Sequence, residues 1–167
     1  MQLLIVRHAD AGDREEFAAT GRPDADRPLS DKGRAQMRGV VKAVRALVPG
    51  GKLVVTSPYV RAAQTAELLV HAWPDAVVET TGALEPGARP EQLAEFLAAK
   101  GRQKVVAVVG HEPDLGALAT WCMTGHDASR MAFKKAGACL LEFERGVTRG
   151  GGVLRWMMGP KQLAALA

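Results

Sequence analysis

Apolar and polar positions along this chain fall into two alternating kinds of segment. Residues 3–6 are a short unbroken apolar run, Leu3-Leu4-Ile5-Val6, the pattern of a strand covered on both faces in a parallel sheet. Residues 53–56 and, most clearly, 104–109 repeat it, and residues 76–80 supply a further strand. Between the runs lie stretches of helical period. Ser30 can cap a helix that turns Met37, Val40, Val41, Val44, Leu47 and Val48 inward and Arg34, Arg38, Lys42 and Arg45 outward, and Pro49-Gly50-Gly51 stops it. Ser57-Pro58 reads as an N-cap and first helical position, placing Arg61 in the first turn of a helix that closes at Trp73-Pro74. Pro90 opens a third helix with Leu93, Phe96 and Leu97 inward, and Pro113 a fourth with Leu115, Leu118, Ala119 and Cys122. Residues 138–144 and 153–158, joined by a glycine-rich stretch, read as an antiparallel hairpin, whereas residues 9–29, with Gly12, Gly21, Pro23 and Pro28, read as one long loop. Loops of that length in a compact domain are usually functional or mobile. This order predicts an α/β fold, a three-layer αβα sandwich with a mostly parallel central sheet and an antiparallel C-terminal hairpin, in a single domain over residues 1–167.

Composition narrows the setting. The 22 Lys and Arg against 18 Asp and Glu leave a net charge of +4, with the signs well mixed, which excludes a disordered acidic or basic tail. The mild excess asks for an anionic partner. Nucleic acid is not expected, because there is no run of five or six like charges and aromatics make up only 5% of the residues. Cys122 and Cys139 have neither metal-site spacing nor a disulfide-scaffold pattern, so both are read as small buried hydrophobes. Arg7 and His8 interrupt the apolar N-terminus too early for a signal peptide, and no stretch approaches the roughly 18 apolar residues of a membrane span. A cytoplasmic protein with no membrane partner is the expectation.

Chemistry gathers at the strand-to-helix junctions. In open α/β sheets ligands sit beyond the carboxyl ends of the strands. The first strand ends in Arg7-His8, the second in Ser57 with Arg61 close behind, the third is followed by Glu85, and the fourth by Gly110-His111. Arginine offers a planar, permanently charged fork that matches phosphate oxygens. A neutral imidazole can attack phosphorus and carry it as phosphohistidine, a second histidine can donate to a phosphoryl oxygen, and a carboxylic acid can protonate a leaving group. No metal or other cofactor is required. His71 and His126 lie in segments without such companions, so a four-histidine metal site is not expected.

These residues also carry a resemblance. Leu4-Ile5-Val6-Arg7-His8-Ala9 resembles the Arg-His signature of the histidine phosphatase superfamily, in an Arg-His-Ala form. The segment 57–66, Ser-Pro-Tyr-Val-Arg-Ala-Ala-Gln-Thr-Ala, is similar to its second arginine motif, and Val109-Gly110-His111-Glu112-Pro113 to its second histidine motif. Arg27-Pro28-Leu29-Ser30, Gly33 and Gly159-Pro160-Lys161-Gln162-Leu163 resemble the SixA-type phosphohistidine phosphatase branch. The resemblance implies His8 as nucleophile, Arg7 and Arg61 as phosphate clamp and His111 as the second histidine. It implies Glu85, within Leu84-Glu85-Pro86, as candidate general acid, in a segment whose middle residue need not be acidic in SixA-type proteins. Arg27 and Ser57 are expected to contact substrate.

Three activities fit. The first is hydrolysis of phosphohistidine in a protein such as a histidine phosphotransfer domain. The second is hydrolysis of small phosphate esters, or a mutase reaction, on the same scaffold. The third is a silent phosphoprotein-binding module, which would have no use for a nucleophile. With 167 residues the chain has little room for segments walling the pocket, which favours a phosphorylated side chain of another protein over a small phosphate ester.

Overall fold

The computed structural model describes residues 1–126 and 128–167. In chain order the elements are β1 (Gln2–Arg7), α1 (Arg14–Ala18), α2 (Asp31–Leu47), β2 (Leu53–Thr56), α3 (Val60–Leu69), β3 (Val77–Thr80), α4 (Pro90–Ala99), β4 (Val105–Gly110), α5 (Asp114–Thr124), β5 (Ala138–Glu142), β6 (Val153–Met158) and α6 (Pro160–Ala164). The strands form one sheet in the order β3-β2-β4-β1-β5-β6. The first four run parallel, β5 runs antiparallel to β1, and β6 antiparallel to β5.

Two-residue periodicity in the strands sorts the core into two layers. Leu4 and Val6 of β1 face one side, where Met37, Val40 and Val44 of α2, Ala66 and Leu69 of α3 and Leu163 of α6 cover them. Leu3 and Ile5 face the other, against Leu93 and Leu97 of α4 and Leu115 and Leu118 of α5. The result is the expected three-layer sandwich. All six residues of β4 are buried, as its unbroken apolar run requires of a central strand. Cys122 and Cys139 are free and buried, and burial pushes the Cys122 thiol up to about 12. No helix among the described residues is long and apolar enough to cross a membrane.

Three local expectations need correction. The loop over residues 9–29 contains α1, capped by the Asp13 carboxylate on the Glu15 and Glu16 amides, and a 3-10 turn at Asp24–Asp26. A short helix, α6, follows the hairpin. Ser57 does not cap α3: Tyr59 is the N-cap residue, and the Ser57 hydroxyl accepts from the Tyr59 amide at 3.3 Å. That hydroxyl is also bonded to a histidine, as described below.

The start of α2 is as the sequence predicts. Ser30 is extended and its hydroxyl accepts from the Gly33 amide at 3.1 Å. Gly33 lets this helix press against the segment after β1, because a Cβ there would lie 2.1 Å from the Asp10 carbonyl oxygen. Gly33→Ala must therefore displace backbone two residues beyond His8, and should lower stability by about 1–3 kcal/mol in urea denaturation. A midpoint equal to that of the wild type would show that the contact is not tight in solution.

Candidate active site

Register builds the site. In the parallel pairing of β1 and β4, Arg7 lies level with Gly110, so the next residues, His8 and His111, leave adjacent strands side by side. The His8 amide still donates to the Gly110 carbonyl at 3.1 Å, and the Ser57 amide to the Val109 carbonyl at 3.0 Å. The two imidazoles stand 5.2 Å apart, ring centre to ring centre. Arg61 arrives from the first turn of α3. Sequence-level convergence of Arg7, His8, Ser57, Arg61 and His111 on one crevice thus corresponds to one cluster.

His8 is only 6% exposed. Its Nδ1 lies 2.8 Å from the Ala9 carbonyl, which can only accept, so Nδ1 carries the proton. Its Nε2 lies 3.3 Å from Arg61 Nε, which can only donate, so Nε2 presents a lone pair. Burial pushes the imidazole down to about 3, with the nearby charges of Arg61 and Arg7 adding to it and the Ala9 bond opposing it. A neutral ring with an unprotonated Nε2 beside guanidinium groups is the form a phosphorus nucleophile needs.

Arg61 is 5% exposed and held on several sides. Its far nitrogens meet Asp24: Nη1 donates to the Asp24 carbonyl at 2.8 Å, and Nη2 pairs with carboxylate Oδ2 at 3.1 Å. The Tyr59 ring lies under its face at 4.9 Å. Thr65, one turn along α3, donates to the Arg61 carbonyl at 2.7 Å and accepts from the Ala9 amide at 3.1 Å, tying α3 to the segment after β1.

His111 is 3% exposed, and its Nε2 lies 2.8 Å from the Ser57 hydroxyl. That oxygen also accepts from the Tyr59 amide, and with its own proton turned to Nε2 the ring proton of His111 sits on Nδ1. Burial, reinforced by the Arg61 charge and opposed by Asp24, pushes His111 down to about 4. His111 Nδ1 and Arg7 Nε are both buried and have no hydrogen-bond partner among the described residues, whereas Arg7 Nη1 donates to the Phe133 carbonyl at 2.6 Å. Orphaned donors on two neighbouring residues suit an anion with several acceptor oxygens.

The remaining expectations are placed differently. Ser57 is fully buried, and its hydroxyl is bonded to His111 Nε2 at 2.8 Å. Arg27 is buried in the wall of the loop: Nε donates to Asp24 Oδ1 at 2.8 Å, and Nη1 to the Ala11 and Gly12 carbonyls at 3.1 and 3.3 Å. Its link to the cluster is the Asp24 carboxylate. Glu85 is exposed and lines, with Arg89, Asp114 and His111, a cleft between α4 and α5. Asp24, Tyr59, Thr65 and the Phe133 carbonyl were not singled out by the sequence. Only Thr65 had a signal, its four-residue spacing from Arg61 on one helical face. Among the described residues no group of three or more His, Cys, Asp or Glu is placed to hold a metal ion.

Comparison with known proteins bears on this cluster. Residues 3–85 match the sequence pattern of the histidine phosphatase superfamily, branch 1. An uncharacterized protein of Picosynechococcus sp. is 34% identical over 142 residues, covering 82% of each chain. The chain belongs to the histidine phosphatase superfamily. Among solved structures, the protein histidine phosphatase SixA in complex with tungstate superposes with a TM-score of 0.78 at 24% identity, over 98% of this chain and 99% of that one. A phosphoserine phosphatase from Entamoeba histolytica, bound to phosphoserine, superposes with a TM-score of 0.68 at 14% identity, over 97% and 98%. At those identities the likeness is one of fold, and the fold serves both phosphoprotein and small-molecule chemistry.

Burial of two neutral imidazoles gives this chain a characteristic acid response. Between the ordinary value of 6.5 and the folded values of about 3 and about 4, the unfolded chain binds more protons than the folded one. The stabilising contribution is therefore complete above pH 6.5 and is lost as pH falls toward those values. Urea denaturation at about pH 7.5 and about pH 5 should show a loss on the order of 1–2 kcal/mol for each imidazole, and His8→Gln should remove its share. A His8→Gln variant with the full wild-type pH slope would contradict the burial argument.

Proposed function

We propose that this protein is a phosphohistidine phosphatase that works through a covalent intermediate on His8. The observation that carries the reading is the state of His8: its proton is held on Nδ1 by the Ala9 carbonyl, and its Nε2 lone pair faces Arg61 beside the uncommitted Nδ1 of His111. Arg7 and Arg61 neutralise and orient the phosphoryl oxygens, and the His111 Nδ1 proton bonds a third, stabilising the charge that the transition state spreads over them. Nε2 of His8 forms a bond to phosphorus as the bond from phosphorus to the substrate imidazole breaks, and the electron pair leaves with that imidazole, which takes a proton. Water then attacks phosphorus, the bond to His8 breaks, and orthophosphate is released with neutral imidazole restored. In this reading the Ser57 hydroxyl, which accepts from the Tyr59 amide and lies 2.8 Å from His111 Nε2, turns its proton to Nε2, so that the ring proton of His111 is the one on Nδ1.

The choice of a P–N substrate follows from the acid. A phosphate monoester leaves as an alkoxide unless a positioned acid protonates it, whereas an imidazole near neutrality takes its proton from solvent. Glu85, exposed at the edge of the cleft it shares with His111, is the acid an ester would depend on and a phosphohistidine would not. Hydrolysis of small phosphate esters is the second reading, favoured by the fold shared with the phosphoserine phosphatase. The partner of the first reading is a phosphorylated protein of the histidine phosphotransfer type.

Rates on a phosphorylated histidine protein, a free phosphoramidate and a panel of sugar and nucleotide phosphates separate the readings. Preference for the sugar phosphates would reverse the choice. His8→Ala should abolish turnover, and the trapped wild type should carry acid-labile, base-stable phosphate. Glu85→Gln should slow ester hydrolysis by about 100-fold or more, while leaving phosphoramidate hydrolysis within about threefold. Equal losses on both would remove the argument from the leaving group.

A further inference from the structure

Among the described residues Asp24 is the carboxylate that pairs with the cluster, and it reaches it from the long loop between β1 and α2. Its two oxygens serve two arginines: Oδ1 accepts from Arg27 Nε at 2.8 Å, and Oδ2 meets Arg61 Nη2 at 3.1 Å, while its backbone carbonyl takes Arg61 Nη1 at 2.8 Å. Burial works against its ionisation, but the Arg27 hydrogen bond and the charges of Arg61 and Arg27 outweigh it and hold the carboxyl below its usual range.

A carboxylate on a phosphate-binding arginine can act in two opposite ways. It can occupy the place of the phosphoryl group and compete with it, or it can hold the guanidinium from behind. Donor geometry separates them. Asp24 takes the end of the guanidinium, through the two far nitrogens, and the Nε edge is the one turned to His8 Nε2 at 3.3 Å. The nitrogen that faces His8, Nε, is therefore one that Asp24 does not hold. A guanidinium is rigid and planar, so fixing its end against Asp24 and its face against the Tyr59 ring fixes the direction of the Nε edge as well. Arg27, bonded to the Ala11 and Gly12 carbonyls, anchors the same carboxylate to the loop that leaves His8.

We propose that Asp24 is a positioning residue for phosphoryl capture, aiming the Nε edge of Arg61 at the phosphorus-bound oxygens beside His8. The assignment rests on the reading of His8 and Arg61 as the phosphoryl site. Arg27 is then a support for Asp24, which accounts for its buried place in the loop wall.

Tungstate, a phosphate-shaped oxyanion, tests this without turnover. Calorimetric titration of wild type, Asp24→Asn, Arg61→Lys and the double variant forms a cycle. Asp24→Asn, which keeps the shape of the side chain and the backbone contact, should weaken tungstate binding by roughly tenfold, and Asp24→Glu should restore part of it. In the Arg61→Lys background, where there is no planar fork to aim, Asp24→Asn should change binding by less than about twofold. A role confined to folding the loop would weaken binding equally in both backgrounds and would overturn the proposal. Tighter binding by Asp24→Asn would overturn it in favour of a competing carboxylate, and unchanged binding, or a wild type that does not bind tungstate, would also overturn it. A cycle that behaves as expected in a protein that hydrolyses no phosphohistidine would refute the proposed substrate and leave Asp24 in place.

Discussion

Everything in the crevice depends on how β1 pairs with β4. These are the two central strands, they run parallel, and Arg7 stands level with Gly110. Parallel pairing makes both strands end at the same edge of the sheet, and level register makes their next residues neighbours. A slip of one residue would turn His8 or His111 to the other face, because side chains alternate along a strand. What prevents the slip is hydrophobic: Leu3 and Ile5 are committed to one core layer and Leu4 and Val6 to the other. The chemistry at the strand ends is thus aligned by the core beneath it.

Concentrating positive charge at that edge has a cost that the structure distributes. Arg61 is buried, and burial alone disfavours its charge. Asp24 compensates it at the two terminal nitrogens, the Tyr59 ring covers its face, and the Phe133 carbonyl takes one nitrogen of Arg7. The histidines answer the same field by remaining neutral. Desolvation and the neighbouring guanidinium groups act in one direction on both rings, so the positive charge belongs to the arginines and the lone pair to His8. This division of labour is what a nucleophilic imidazole beside an oxyanion clamp requires.

The loop between β1 and α2 shows how local signals and tertiary function part company. Its glycines, prolines and charges read correctly as an interruption of the periodic pattern. Nothing in them distinguishes Asp24 from Asp10, Asp13 or Asp26. Asp13 caps α1, Asp10 pairs with Lys135, and Asp24 meets Arg61, each selected by what folds against it. Ser57 followed the same logic in reverse. Its Ser-Pro context is a fair helix-start signal, yet its hydroxyl bonds a histidine that arrives from residue 111, a partner visible only once β2 lies beside β4.

By itself the sequence determined the layered architecture and the positions of Arg7, His8, Arg61 and His111 at strand-to-helix junctions. Both follow from local rules: period and run length select helix or strand, and polar residues at the end of a buried strand mark where it leaves the core. The tertiary structure decided which nitrogen of His8 holds the proton, which nitrogen of Arg61 faces it, and that Arg27 reaches the cluster through Asp24 and Ser57 through His111. These are matters of distance and direction between residues far apart in the chain. No one-dimensional pattern encodes them, because each is fixed by the packing of elements that share no local sequence.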